Sequence, residues 1–583
     1  MLRRRLQLIG LRIRRVMVEW TTACPDWEER ILERKSLVPF DPLFPDEAAA
    51  ALDVFNDLHI VDLPGRPTIG QVCRPWLLDL PKALFGSYDA KTGRRLIREY
   101  MLLVSKKNWK SGVAAAVMLT ALIRNWRDSA EFLIVAPTVE VANNSFTPAA
   151  DMVRANDLLW VENGGFLRVQ PNFRTITNIN NGATLKVIAA DSETVGGKKA
   201  TGIFVDELWL FGDKANAENM FREVIGGLTS RPEGFVVYVS TQSDKQPAGI
   251  FRQKLEYFRA VRDGKIEDKR SLGILYEYPK RFIERELFRD EKYWYITNPN
   301  LGASADPEFI RDQYRKAEAA GPASFCGFAA KHLNVEIGIS IGSTSWAGAE
   351  FWESCADKTL TLDTLLARSE VVVVGIDGGG LDDLLGLAVL GRCRETRKWL
   401  VWCKAWAHRV VLERRKEVAP RLLDFEKAGQ LTIVNSPGDD VTEVADIITG
   451  IDELGLLAGT HSVAVDAAGI GDIIDALTGR GFSVDRIAGI QQGWKLTGAI
   501  KTTERKLAGG ELVHDGSELM AWCVGNAKVE PRGNAVTITK ATAGSAKIDP
   551  LAALFDAVSL MAMNPSAQSK SPWEEESYRL QVC

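Results

Sequence analysis

From Tyr100 onward the chain alternates short apolar runs with stretches of helical period. YMLLVS (100–105), EFLIVAP (131–137), ATLKVIAA (183–190), GIFVDEL (202–208) and GFVVYVST (234–241) carry few polar residues. A strand with one wet face alternates apolar and polar side chains. A run without alternation is buried on both faces, as in a parallel sheet covered by helices. Ahead of these runs, residues 18–85 are rich in Trp, Pro and acidic side chains, with a helix expected over Pro45–Leu58. Residues 251–335 read as mainly helical and charged, interrupted by the turn TNPNLG (297–302).

A second series follows the Gly- and Ser-rich segment IGISIGSTSWAGAE (337–350), which reads as a linker. EVVVVGIDGGG (370–380), LGLAVLGR (385–392) and KWLVWCKAW (398–406) are apolar strands, the first two joined by a Gly/Asp turn that predicts an antiparallel hairpin. QLTIVN (430–435), SVAVDAAG (462–469) and a closing helix, DPLAALFDAVSLMAM (549–563), complete it. The polar residues after Asn564 read as a disordered tail. The expected division is a leader and helical lead-in (1–85), a first α/β domain (86–336, with a helical linker region 251–336), a linker (337–366), a second α/β domain (367–565) and the tail (566–583).

Length agrees with this division, because 583 residues exceed one ordinary core. With 46% hydrophobic and 25% charged residues the chain is of average globular composition. A formal net charge of -4 argues against a protein that coats nucleic acid over its whole surface, though not against one with a local basic channel. Eight dispersed cysteines without a CxxC pair, beside five histidines, argue against structural zinc and suit a reducing cytoplasm. The longest apolar run, near Ala114–Ile123, is too short to span a bilayer. The basic start MLRRRLQLIGLRIRR reads as a solvated leader, with Met17 an alternative start.

Two constellations carry chemistry. VSKKNWKSG (104–112) lies between a strand and an apolar helix, where a phosphate-binding loop places backbone N–H groups, a lysine for the terminal phosphates (Lys110) and a hydroxyl for Mg²⁺ (Ser111). Val104 and Trp109 stand where such a loop has glycine, so alone the segment fits an ordinary basic turn equally well. GIFVDELWLF (202–211) adds a strand running into Asp206, placed to hold Mg²⁺, and Glu207, placed to polarise water. VVYVSTQ (236–242) ends in Ser240, Thr241 and Gln242, polar groups able to sense a γ-phosphate or simply to form a turn.

The second constellation is acidic. Asp377 ends one strand, Asp382 and Asp383 occupy the next turn, Asp466 ends a later strand, and Asp549 begins the last helix. Each alone fits a turn or cap. Together they are oxygen ligands for two Mg²⁺ or Mn²⁺ ions, which activate water and stabilise the leaving 3′ oxygen in phosphodiester cleavage. Strand, hairpin, strand, terminal helix is the order of the RNase H-like nuclease fold.

Across roughly residues 20–565 the chain resembles the terminase large subunit of tailed phages and prophages. PDWEERI (25–31), FGSYDAKTGRRLIREYMLLVSKKNWKS (85–111) and GGKKATGIFVDELW (196–209) are similar to its ATPase half. TNPNLG (297–302) and GFAAKHLNVE (327–336) resemble the connection, and GELVHDGSELMAWCVGNAKV (510–529) and AKIDPLAALFDAV (546–558) the end of its nuclease half. The resemblance implies an α/β fold: an N-terminal P-loop NTPase with a mostly parallel, ASCE-like sheet, then an RNase H-like nuclease. It implies ATP and Mg²⁺ (or Mn²⁺) as cofactors, with Lys110 and Ser111 as the Walker A pair and Lys106 or Lys107 as the basic residue early in that loop. Asp206 is implied as the Walker B aspartate, Glu207 as the catalytic base, and Ser240, Thr241 and Gln242 as the coupling motif. Asp377, Asp466 and Asp549 are the implied nuclease acids, with Asp383 an accessory ligand. The implied partners are double-stranded DNA, the small terminase subunit and the portal of a procapsid, with a homo-oligomeric ring formed on the portal and no membrane. The implied compartment is the host bacterial cytoplasm. A helicase-type nuclease ATPase, or a decayed prophage copy with impaired ATPase, are the alternatives.

Overall fold

The structure, a computed structural model, describes residues 19–190, 200–214, 217–337, 346–416, 418–466, 471–532, 535–540 and 547–567. The leader before residue 19, most of GGKKA (196–200), much of the expected linker, residues 467–469 of SVAVDAAG and the tail beyond 567 lie outside them.

Among the described residues eight strands form the first sheet: β1 (Glu99–Leu103), β2 (Glu131–Ala136), β3 (Leu167–Gln170), β4 (Thr175–Asn178), β5 (Thr184–Ala189), β6 (Ala200–Val205), β7 (Phe235–Ser240) and β8 (Ser271–Leu275). Their order is β8-β1-β7-β6-β2-β5-β4-β3. The first six pair in parallel, and β4 and β3 add an antiparallel margin. One strand, β7, separates the loop-bearing β1 from the acid-bearing β6, as an ASCE-like sheet requires. Helices α1 (Lys110–Ile123) and α2 (Val139–Arg154) pack on it. The expected helix near Pro45–Leu58 forms over Pro45–Asp57, with proline at its first position. It and its neighbours bury Phe55, Leu84 and Phe85 in the same core as β1 and α1, so the lead-in is part of the first domain's packing.

Residues 251–335 are not wholly helical. SLGIL between charged flanks forms β8, which pairs with β1 from Ser271↔Glu99 to Leu275↔Leu103. Five residues without a periodic signature win strand conformation by completing the ladder beside β1.

The second sheet has β9 (Ser369–Gly378), β10 (Leu384–Cys393), β11 (Trp399–His408), β12 (Leu431–Val434), β13 (Val463–Asp466), β14 (Ile487–Ile490) and β15 (Leu512–His514). The order is β12-β11-β10-β9-β13-β14, with β15 beside β11. The β9–β10–β11 meander is antiparallel, and β13 joins β9 in parallel. This is the RNase H-like arrangement.

Part of the expected linker is packed structure. Trp346 and Trp352 are fully buried, Trp346 edge-on to Phe555 and Trp352 stacked on His514. Leu360, Leu365 and Leu366 belong to the core on the other face of the second sheet. Residues 346–366 therefore pack with the second half; the Gly/Ser-rich run hid Trp346, which with Trp352 just beyond it supplies large apolar area.

Helix α3 (Pro322–His332) closes the first half, and the halves meet at helix α4 (Ala419–Lys427), which packs on the helix Gly249–Arg262. Arg421 of α4 donates to the Gln246 side chain at 2.9 Å and to the Gln246 and Pro247 carbonyls. The Asp424 carboxylate accepts from the Gly249 N–H at 3.1 Å. The second half thus grips the loop that follows Gln242.

Candidate functional site: two acid-bearing sheet ends

The 104–112 loop folds as a phosphate-type loop despite its lost glycines. Trp109 caps α1 at φ 62°, in the left-handed region, and Lys107 also has positive φ (71°). Gly normally occupies such positions because a Cβ is strained there. The Trp109 indole lies against Gly112 in the first turn of α1, where a Cβ would overlap the ring. The indole therefore packs on the helix, and Gly112 leaves it the room. Gly112→Ala is expected to expel the indole and, if the loop binds ATP, to lower ATP turnover about 100-fold, as a displacement near 1 Å does. Trp109→Gly relieves the strained φ and is expected to keep activity and to rescue Gly112→Ala in the double variant. A Gly112→Ala enzyme with wild-type turnover would refute the pairing.

Lys106 and Lys107 are exposed on this loop, Lys110 is buried, and Ser111 is half-buried. Lys110 Nζ stands 3.7 Å from Glu207 Oε1. Asp206, 1% exposed, receives the Ser145 hydroxyl at 2.6 Å on Oδ2. Its Oδ1 has no hydrogen-bond partner among the described residues. Burial, and next the Glu207 charge, push its carboxyl up to about 6. Glu207 has φ 51°, and Trp209 Nε1 donates to its Oε2 at 2.7 Å. Ser240, Thr241 and Gln242 are all buried; Ser240 Oγ accepts from the Trp209 N–H at 3.0 Å. The Gln242 side-chain amide has no hydrogen-bond partner among the described residues, and at 1% exposure that is costly. A buried aspartate oxygen and a buried amide left open beside a lysine fit a Mg²⁺-phosphate group, whose cation and oxygens supply the missing partners.

The connecting motifs brace this loop. Asn108 Nδ2 donates to Asn298 Oδ1 at 2.9 Å, the Asn300 N–H returns to Asn108 Oδ1 at 2.9 Å, and Ser304 Oγ donates to the Lys107 carbonyl at 2.7 Å. The Gln242 N–H donates to Asn334 Oδ1 at 2.8 Å. Ser145, Asn298, Asn300, Lys331 and Asn334 were absent from the sequence-derived site. The one available signal was the resemblance of TNPNLG and GFAAKHLNVE to a family's connecting segment.

In the second half, β9 and β13 pair with Ile376↔Val465, so Asp377 and Asp466 emerge at neighbouring strand ends. The closing helix α5 (Asp549–Met561) crosses β9 and β10 closely enough to bring Asp549 beside them. Glycines permit that approach: a Cβ on Gly386 would lie 2.6 Å from Pro550 N, and one on Gly375 would overlap the Ala553 carbonyl. Asp377, Asp466 and Asp549 line one cavity of about 630 Å³ with Gly378, Asp472 and Gln492. Asp383 is held differently, accepting from Lys547 Nζ at 2.7 Å, while Arg415 forks onto Asp382 at 3.1 and 2.6 Å.

Among the described residues no three acids or imidazoles close on one point. The all-oxygen donor set along one cavity nonetheless fits hard cations shared between acids. Asp556, fully buried two turns beyond Asp549, receives Gln492 Nε2 at 3.0 and 3.1 Å. Burial, opposed by that hydrogen bond, and the Asp466 charge bring its carboxyl up to about 8. Its signal was legible: one acid inside an otherwise apolar helix, seven residues after Asp549.

A P-loop NTPase-type sheet followed by an RNase H-like sheet, each with acids at its strand ends, is an α/β fold of the ATPase-plus-nuclease class. Residues 273–565 match the family "Terminase large subunit, endonuclease domain", and the chain belongs to the terminase large subunits. It is 22% identical over 478 residues to the terminase large subunit of Lactococcus phage p2, covering 80% of this chain and 82% of that one. It is 22% identical over 351 residues to Protein YmfN of Escherichia coli (strain K12), covering 58% and 73%. Among solved structures it is similar to the HK97 bacteriophage large terminase, with 19% identity, TM-score 0.45 and coverage of 88% and 99%. Among the described residues no helix is long and apolar enough to cross a membrane.

Proposed function

We propose that this terminase large subunit moves double-stranded DNA into a procapsid by ATP hydrolysis and cuts concatemeric DNA in its second domain. The observation that carries the reading is the pairing, in one chain, of Lys110, Asp206 and Glu207 at one sheet end with three aspartates around one cavity in the other. Lys110 takes the terminal phosphates, with Lys106 and Lys107 at the mouth of the loop. Ser111 and Asp206 hold the Mg²⁺ of ATP, Glu207 orients the attacking water, and Gln242 senses the γ-phosphate between Ser240, Thr241 and the second domain. Asp377, Asp466 and Asp549 would hold two Mg²⁺ or Mn²⁺ ions, which would supply activation of water and charge stabilisation, while Lys547 keeps Asp383 in place. The nuclease unit begins by Trp346, not Leu366, since Trp346 and Trp352 are buried in it. Double-stranded DNA, the small terminase subunit, the portal and other copies of the chain in a ring are its partners, in the cytoplasm of a bacterial host.

The purified chain is expected to hydrolyse ATP faster with double-stranded DNA and to nick plasmid only with Mg²⁺ or Mn²⁺. With portal-bearing procapsids it should render DNA resistant to added nuclease only when ATP is present. ATPase and nicking without such protection would favour a helicase-type enzyme acting outside a capsid. Nicking without ATPase would favour a decayed prophage motor.

A further inference from the structure

We infer that Lys331 is a positioning residue of the ATPase site, whose ammonium group holds Gln242 and the Trp209 indole together and through that indole aims the Glu207 carboxylate. The inference rests on the ATPase reading above.

Lys331 lies in the last turn of α3, next to the bond network of three motifs. Its carbonyl accepts from the Lys106 N–H at 2.8 Å, anchoring the phosphate loop. Its Nζ donates to the Gln242 carbonyl at 3.0 Å. The same Nζ sits 2.9 Å from the centroid of the Trp209 ring, a cation–π contact. That ring donates Nε1–H to Glu207 Oε2, while Glu207 Oε1 faces Lys110. When phosphates claim Lys110, the indole N–H remains to fix the carboxylate, and the place of the indole depends on the ammonium beneath it. In the other direction, a shift of Glu207 after hydrolysis reaches Gln242 through the same two side chains, and then the loop gripped by Arg421.

A lysine that served only to solvate a helix end would keep an ordinary amine. Burial brings this one down to about 8, with Lys110 and Lys106 pushing the same way and Asp244 and Glu207 opposing. The neighbouring His332, itself lowered to about 4, is neutral near pH 7 and adds no charge.

The test uses DNA-stimulated ATPase of the full chain carrying Lys331→Met, Lys331→Arg or Glu207→Gln. Lys331→Met should lower kcat about 100-fold, the scale of a misplaced catalytic group. Its KM should stay within about 3-fold, since the phosphates bind elsewhere. Lys331→Arg, which keeps the charge and stacks on an indole, should recover most of the rate. In wild type kcat/KM should fall above about pH 8 as the free enzyme's amine loses its proton, and Lys331→Arg should move that limb to higher pH. Lys331→Met with wild-type kcat, a loss confined to KM, or an alkaline limb unmoved in a folded Lys331→Arg enzyme would overturn the inference while Glu207 dependence persists. Equal turnover by wild type and Glu207→Gln would instead overturn the ATPase reading, and this inference with it.

Discussion

Asp377→Ala, Asp466→Ala and Asp549→Ala are each expected to abolish Mg²⁺- or Mn²⁺-dependent nicking of plasmid DNA. Each removes one oxygen donor from the cavity the three line. Ion-held water and leaving-group stabilisation contribute several kcal/mol to such cleavage, so the loss should reach about 10³-fold or more. Asp377 and Asp466 are half-buried at strand ends, where alanine keeps β-sheet pairing. Asp549 is 4% exposed and begins α5, so Asp549→Asn is the companion variant that preserves shape. Nicking gels with a melting curve for each variant decide the matter. Three folded variants that cut at wild-type rate would locate the nuclease elsewhere.

Lys110→Ala and Glu207→Ala are both expected to stop ATP hydrolysis, by separable routes. Lys110 is buried at the start of α1, and its loss removes the charge proposed to meet the terminal phosphates, which should weaken binding and turnover together. In the proposed mechanism Glu207 orients water, so its loss should leave nucleotide binding intact while turnover falls about 10²–10⁴-fold, the usual worth of a general base. Lys110 faces Glu207, and removing either frees the other, so binding must be measured beside turnover. Nucleotide titration with steady-state ATPase in the presence of DNA separates the two outcomes. Turnover that survives both substitutions would sink the motor assignment.

Much of the architecture was readable locally. Both-face-buried runs such as EFLIVAP and GFVVYVST became parallel strands, and the Gly/Asp turn after Asp377 joined an antiparallel hairpin. The misreadings have specific causes. SLGIL was too short to declare itself and became a strand only beside β1. Residues 346–366 were read as linker because they follow a Gly/Ser-rich run, yet Trp346 and Trp352 found ring partners in Phe555 and His514, far away in the chain.

The acids show the division most clearly. Sequence alone determined that Asp206 and Glu207 end one apolar strand, that Asp377 and Asp466 end two others, and that Asp549 opens a helix. These are local facts of periodicity and capping, carried by neighbouring residues. Only the tertiary structure decided that β13 lies beside β9 and that α5 approaches through Gly375 and Gly386, which gathers three of those acids around one cavity. It also decided that Trp109 turns its indole onto Gly112, and that Lys331, over a hundred residues beyond Glu207, stands on the ring that holds it. Such pairings depend on long-range packing, which a local pattern of hydrophobic and polar positions does not encode.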